Sequence, residues 1–301
     1  MFPIALDLKG FAQFISAERG LMLFMISVGA TFLTLGSTAW LQAIYLGSTV
    51  FFLWSGLDAL NNVFDADLDV ISDPSRAKYS KALGKNGLLA AVAFSVLSLG
   101  LGAITMVPLV VLFILVGILF GVLYSVPPFR LRQTLWKPLV NITVGAVPVL
   151  IVASFSNAFS VSVATLVLLI GITTGVNSLW EDLGDYASDY ANGARTVPVI
   201  AGFKKGLLLT IVMGYCLIPL MVVVGILFQL HLIYYFILFG LTTFVSLRLA
   251  KNRTILFREA HASETDTEEL YELGHVLAKD FVIVAIVQTL GLMISSFLKL
   301  Y

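Results

Sequence analysis

Long apolar runs dominate the chain, each ended by a short polar or charged segment. Runs of about 20 residues, the length a helix needs to cross a hydrocarbon core about 30 Å thick, recur near 21–40, 41–60, 86–105, 107–126, 138–155, 160–180, 206–228, 230–248 and 281–299. The pattern predicts an all-α, polytopic membrane bundle of nine transmembrane helices, with residues 1–301 forming a single domain. The connections alternate in kind. The turns near 40, 106, 157 and 229 hold no Lys, Arg, Asp or Glu, whereas 1–20, 61–85, 127–137, 181–205 and 248–280 hold every Lys and Arg except Lys299. Successive connections lie on opposite faces of a membrane, so this alternation fits an odd number of spans with the N-terminus on the basic face. By the positive-inside rule that face is cytoplasmic. Residues 1–20 mix Phe2, Ile4, Leu6, Phe11 and Phe14 with Asp7, Lys9, Glu18 and Arg19, which predicts an interfacial helix.

Composition strengthens the membrane reading. Hydrophobic residues make up 59% of the chain and charged residues 12%, against roughly a quarter charged in a soluble domain. Mean hydropathy is +0.98. The formal net charge is zero, so no nucleic-acid footprint is expected. Cys216, the sole cysteine, lies in an apolar run and has no disulfide partner in the chain. His231 is expected at the outer interface. His261 and His275, in the polar segment 251–280, are expected on a solvated helix over the cavity mouth. Asn141 is expected to face the bundle interior, either bonding across helices or lining a binding site.

The acidic residues are distributed less evenly. The second span ends Asp58-Ala-Leu-Asn61-Asn62-Val-Phe-Asp65-Ala-Asp67-Leu-Asp69. If the helix continues, Asp58, Asn61, Asn62, Asp65 and Asp69 share one face, and Asp67 points the other way. Asp65 and Asp69 are like charges one turn apart, which destabilises a helix without a counter-charge. The sixth span ends Glu181-Asp182-Leu-Gly-Asp185-Tyr-Ala-Ser-Asp189, with Asp182, Asp185 and Asp189 again on one face. The two clusters stand four spans apart on the same side, which suggests two four-helix halves around a central cavity, plus a ninth helix. Arg76, Lys78, Lys81 and Lys85 follow the first cluster, and Arg195, Lys204 and Lys205 follow the second. Arg130, Arg132 and Lys137 follow Tyr124-Ser-Val-Pro127-Pro128 between spans four and five. Carboxylates with Arg and Lys around one mouth are the groups that hold a metal-bound diphosphate. A cation or proton pathway is the main alternative, but no ionisable relay continues across the other spans.

At these residues the chain resembles the UbiA superfamily of intramembrane prenyltransferases. The family's first motif, N-D-x-x-D-x-x-x-D, is matched by Asn61-Asn62-Val-Phe-Asp65-Ala-Asp67-Leu-Asp69. Its second, D-x-x-x-D, often followed by G-x-x-T-L-P, is matched by Asp185 and Asp189, then Gly193-Ala-Arg-Thr196-Val-Pro198. The segment Tyr124 to Arg132 is similar as well. The resemblance implies a helical bundle with a central cavity capped by cytoplasmic loops. It also implies Mg2+, as two ions, bridging the diphosphate of a polyprenyl donor. By motif position Asn61, Asp65, Asp69, Asp185 and Asp189 are the implied metal and diphosphate ligands, and the four Asp the catalytic carboxylates. Asp182 matches an acidic position before the second motif. Arg76, Lys78, Tyr124, Arg130 and Arg132 are the further substrate-binding expectations. Two departures stand out. Asn62 replaces the usual Asp, and the loop Ile71 to Tyr79 keeps only Pro74 and Arg76 of the pattern common in members that prenylate quinone, chlorophyll or ether-lipid acceptors.

The expected reaction is transfer of a prenyl group to a lipophilic acceptor inside the membrane. Departure of diphosphate from an allylic carbon leaves a carbocation, which a dry cavity protects from water and aromatic faces stabilise. Trp54, Phe120, Tyr124 and Trp180 are at suitable depth, although ordinary packing or an interfacial belt is the plainer explanation of each. A terpene cyclase using the same diphosphate site and a lipid or cation transporter are the alternatives.

Overall fold

A computed structural model describes residues 7–70, 73–253 and 264–299, with the side chains at 264–275, 277–279 and 281 excepted. Among the described residues every regular element is helical. Eight helices are long and apolar enough to span a membrane: α2 (Ala17–Leu35), α3 (Trp40–Asp65), α5 (Lys85–Ile104), α6 (Pro108–Ser125), α7 (Lys137–Ser156), α8 (Val161–Gly184), α11 (Phe203–Leu227) and α12 (Leu232–Lys251). The ninth expected span falls on α13 (Glu264–Phe297), whose apolar part, Val282–Phe297, is shorter than the other eight. Short helices α1 (Leu8–Phe14), α4 (Pro74–Leu83), α9 (Tyr186–Ala191) and α10 (Val197–Ala201) occupy the basic connections. The chain is thus an integral, multi-pass membrane protein. The expected lid carrying His261 lies outside the described residues, as do the side chain of His275, Phe2, Ile4, Leu6, Ile71 and Ser72.

Three of the spans that run past their expected ends do so for one physical reason. The first begins at Ala17 rather than 21, the second continues to Asp65 rather than 60, and the sixth to Gly184 rather than 180. Each extension carries charged or amide side chains that a lone membrane helix cannot bury. Here they are paired across the bundle: Arg19 with Glu181, Lys137 with Asp182, and Asp65 with Arg130 and Arg132. Hydroxyls inside the spans, such as Ser27, Thr31, Thr49 and Thr174, donate to carbonyls one turn back, so the lipid-embedded backbone satisfies them.

Among the described residues of the N-terminal segment, α1 is seven residues long. Phe14 is fully buried and packs with Ile15, Ala59 and Ala91, while Gly10 lies against Tyr79 of α4. Asp7 caps α1 by accepting from the Lys9 amide, and Asp73 caps α4 by accepting from the Arg76 amide, with Pro74 following it.

Helix α2 packs on α3, α7 and α13; α3 on α5 and α6; α7 on α6 and α8; and α8 on α11 and α13. Close approach of α7 and α8 depends on Gly171, where an added Cβ would stand 2.9 Å from the Ile142 carbonyl. A central cavity of about 220 Å3 lies within a ring of α2, α3, α6, α7, α8 and α13. Both halves contribute to its wall, as the clusters suggested, and the ninth helix completes it. A second, mainly apolar cavity of about 130 Å3 lies between α8, α11, α12 and α13.

Candidate active site

The first carboxylate cluster sits on the last turn of α3 and the turn that follows. The Asp69 amide donates to the Asp65 carbonyl at 2.9 Å, so the two side chains stay one turn apart beyond the helix end. The repulsion this spacing creates is met by arginines. Asp65 is fully buried and takes Arg130 at 3.1 Å together with Arg132. Asp69 takes Arg76 at 3.1 Å and lies 3.7 Å from Arg132. Arg130 also donates to the Phe64 carbonyl at 2.6 Å, so the loop after α6 caps the C-terminal end of α3. Burial works against the charge of Arg132, but Tyr124, Asp65 and Asp69 outweigh it and hold the guanidinium protonated. Asp67 is 91% exposed and paired with Lys81 at 2.8 Å, on the opposite side as the helical spacing requires. Lys81 holds its carboxyl below the ordinary range.

Asn61 and Asn62 part company. Asn61 accepts from the Ser125 hydroxyl at 3.2 Å and lines the central cavity. Asn62 does not share that face, contrary to the expectation from spacing. Its amide donates to the Phe14 carbonyl at 2.7 Å and ties α1 to α3. An Asp there would have no proton to give, which accounts for this departure from the motif.

The second cluster is divided by the end of α8. Asp182 is fully buried against Lys137, itself 4% exposed at the first turn of α7. Asp185 forms the junction with α9, and Asp189 accepts from Thr196 at 3.2 Å. Burial raises both the Asp185 and Asp189 carboxyls above the ordinary value, with Lys137 and Arg132 opposing it. The Arg195 amide donates to the Gln133 carbonyl at 2.8 Å, which ties the loop carrying Arg132 to the segment that follows the second cluster. Among the described residues no three carboxylate, His or Cys side chains close on a single point. The donors are all hard oxygens. Mg2+ bound through one or two carboxylates, with water and phosphate oxygens completing its shell, fits such a set.

One turn deeper, the cavity wall carries Arg19, Trp54, Asp58, Asn61, Tyr124, Ser125, Asn141, Asn177 and Glu181. Asn141 therefore lines the cavity. Trp54 and Tyr124 face it, Trp180 lines the neighbouring apolar cavity, and Phe120 lines neither. Lys78 is exposed on α4. Cys216 is exposed on the outer surface of the bundle, and His231 caps α12 by accepting from the Ile233 amide at 3.3 Å. Sequence reasoning placed Asp58, Glu181 and Lys137 among the clustered acidic and basic residues but gave neither them nor Arg19 an individual role in the site. Arg19 was assigned to an interfacial segment and Lys137 to a loop. Only their depth at helix ends marked them, and their partners lie far away in the chain.

The UbiA prenyltransferase family matches residues 22–256. Digeranylgeranylglyceryl phosphate synthase of Halobacterium salinarum is 30% identical over 155 residues, 51% of this chain and 54% of that protein. Chloroplastic chlorophyll synthase of Oryza sativa subsp. japonica is 26% identical over 156 residues, 48% of this chain and 41% of that one. The chain thus spans about half the length of the curated relatives it matches. A solved digeranylgeranylglyceryl phosphate synthase superposes with TM-score 0.63 at 17% identity, covering 96% of this chain and 98% of the other. A UbiA homolog from Archaeoglobus fulgidus bound to GPP and Mg2+ does so with TM-score 0.63 at 16% identity, covering 93% and 99%. At these identities the structures establish a shared fold. With the motif residues gathered at one end of that fold and the family match covering most of its length, the chain belongs to the UbiA prenyltransferase family.

Proposed function

We propose that the whole chain acts as one transferase unit that moves a prenyl group from an allylic diphosphate to a lipophilic acceptor, at a site opening to the cytoplasmic face. The observation that carries this reading is that the loop holding Arg132 on Asp65 and Asp69 is hydrogen-bonded, through Gln133 and Arg195, to the segment that holds Asp189, beside a cavity lined by membrane spans. The relative bound to GPP and Mg2+ and the digeranylgeranylglyceryl phosphate synthase relative support it. The concentration of Lys and Arg in the connections on this side supports the cytoplasmic orientation.

Asp65 and Asp69 on one side, and Asp185 and Asp189 on the other, are proposed to hold Mg2+ as two ions, with Asn61 as a neutral oxygen ligand. When bound, Mg2+ supplies Lewis-acid neutralisation of the diphosphate's charge. Arg76, Arg130 and Arg132 are assigned to the diphosphate oxygens, with Lys78 at the outer edge and Lys137 held by Asp182 nearby. The arginines that now neutralise Asp65 and Asp69 are thereby placed to follow negative charge onto the leaving group. The allylic carbon–oxygen bond breaks with its electron pair leaving on diphosphate. A new bond forms to the acceptor's nucleophilic atom, which gives up a proton. The surrounding spans exclude water from the carbocation, and the faces of Trp54 and Tyr124 stabilise it.

The test uses protein in nanodiscs with geranyl diphosphate and a Mg2+ titration. Asp65→Ala and Asp189→Ala are expected to abolish Mg2+-dependent geranyl diphosphate binding and to lower turnover by about 100-fold or more. Undiminished binding in both variants refutes the ligand assignment. Hydrocarbon formed from donor alone would replace acceptor transfer by cyclisation, and flux without chemical change would replace it by transport.

A further inference from the structure

The second cavity, between α8, α11, α12 and α13, has a lining different in kind from that of the central one. On the central wall Arg19, Asp58 and Glu181 are charged, and Asn61 and Asn141 are amides. A hydrocarbon chain laid along that wall would take water from those groups and return no hydrogen bond. The second cavity is mostly aliphatic and aromatic, with Val176, Ile211, Leu217, Ile218, Leu241 and Val284 in its lining. Bonds between helices close it in. The Arg248–Asp280 ion pair, with one hydrogen bond of 2.9 Å, lines it at the end nearer the carboxylate clusters. The Tyr215 and Ser246 hydroxyls meet at 2.6 Å between α11 and α12. Toward the opposite end the Tyr234 hydroxyl donates to the Met221 carbonyl at 3.1 Å.

The two cavities share a wall. Thr173 and Asn177 of α8 and Gln288 of α13 line both, so one layer of side chains divides them. The Gln288 amide lies 3.9 Å from the Met221 sulfur, a weak acceptor and a bond readily given up. The seam between α2 and α13 is tighter. An added Cβ at Gly29 would stand 3.3 Å from Met293 Cα, and the Phe32 and Phe297 rings pack with centroids 5.4 Å apart. Asn177 and Thr173 lie about two and three turns below the Gly184 end of α8, about 10 and 16 Å at the helical rise. An isoprene unit lengthens an extended chain by about 5 Å, at about 1.5 Å per bond. A geranyl chain therefore ends at the partition or before it, and further units need space beyond it. Gly214 of α11 provides such space. It lines the second cavity, and an added Cβ there meets nothing within 4 Å. Glycine weakens a helix interior, and no close approach of a neighbouring helix requires it at this position.

We infer that the cavity between α8, α11, α12 and α13 receives the tail of a donor longer than geranyl diphosphate, entering past Thr173, Asn177 and Gln288, and that Gly214 sets how long a tail it takes. The inference rests on the prenyl-transfer reading and adds to it the length class of the donor and the path of its tail.

The test measures Mg2+-dependent binding of geranyl diphosphate and geranylgeranyl diphosphate to the full chain in nanodiscs, with empty discs subtracted. Gly214→Phe fills the second cavity at a distance from both carboxylate clusters. It is expected to weaken geranylgeranyl diphosphate about tenfold or more, the effect of a pocket that excludes part of an apolar chain, and to leave geranyl diphosphate within about twofold. Photolabelling of the unsubstituted protein gives a second reading that needs no variant. Geranylgeranyl diphosphate carrying a diazirine on its terminal isoprene unit is expected to label α11 and α12, located by mass spectrometry of the peptides, and the geranyl counterpart to label the central wall. If Gly214→Phe does not purify as a monodisperse species, the label alone decides. An unchanged ratio of the two affinities in a variant that still binds geranyl diphosphate overturns the inference and leaves prenyl transfer standing. So does long-chain label confined to α2, α3 or lipid. Absence of Mg2+-dependent binding of either diphosphate refutes prenyl transfer itself, and this inference with it.

Discussion

Removal of the Lys137 ammonium gives the most direct test of how this bundle buries charge. Lys137 is 4% exposed and Asp182 fully buried, and their side chains are hydrogen-bonded to each other between the start of α7 and the end of α8. Lys137 bonds Asp182 Oδ1, and Oδ2 has no hydrogen-bond partner. Lys137→Met keeps a side chain of similar length, so the packing of the methylenes is retained and the loss is electrostatic. Stranding one member of a buried pair costs about 3–5 kcal/mol. At about 2–4 °C per kcal/mol for a chain of this size, the apparent unfolding midpoint is expected to fall by about 10 °C. The double replacement Lys137→Met with Asp182→Leu removes both charges and is expected to recover most of the loss, because two desolvation costs vanish together. The assay is thermal unfolding in one detergent at one scan rate, since membrane-protein unfolding is commonly irreversible. A fall below about 2 °C in the single variant, or a double variant no more stable than the single, refutes the reasoning.

Further outcomes follow from the same geometry. Asn62→Asp, which restores the residue usual in the motif, is expected to cost about 1–3 kcal/mol because the bond to the Phe14 carbonyl loses its donor. Limited proteolysis at the N-terminus reads it, and unchanged protection of α1 would count against that role. Because burial raises the Asp185 and Asp189 carboxyls above 3.8, the folded protein holds more protons than the unfolded chain between 3.8 and the raised values. Stability without metal therefore increases as pH falls through that window, declines as pH rises through it, and is level above it. The stabilisation that Mg2+ adds shrinks over the same descent, because the cation needs deprotonated carboxylates. Unfolding scans with EDTA and with Mg2+, beside an Asp185→Asn/Asp189→Asn variant, check both signs, and parallel pH profiles would contradict them. Arg132→Ala exposes Asp65 and Asp69 to each other's charge and is expected to lower geranyl diphosphate affinity by about 10-fold or more. Binding isotherms at fixed Mg2+ measure it.

The sequence by itself determined the all-helical membrane fold, because a backbone in lipid must satisfy its own hydrogen bonds and an apolar run of sufficient length has one way to do so. It also carried the alternation of charged and uncharged connections and the motif positions Asp65, Asp69, Asp185 and Asp189, since composition and helical spacing are local properties. Tertiary structure decided where the spans end and which polar groups meet. Arg19, Lys137 and Glu181 extend helices into positions that hydropathy assigns to loops or their edges, because each has a partner on a distant helix. Adjacent residues Asn61 and Asn62 serve different ends, one on the cavity and one on α1, which spacing alone cannot separate. Pairing and burial are relations between segments far apart in the chain, and the energies that select them arise only when the bundle is assembled.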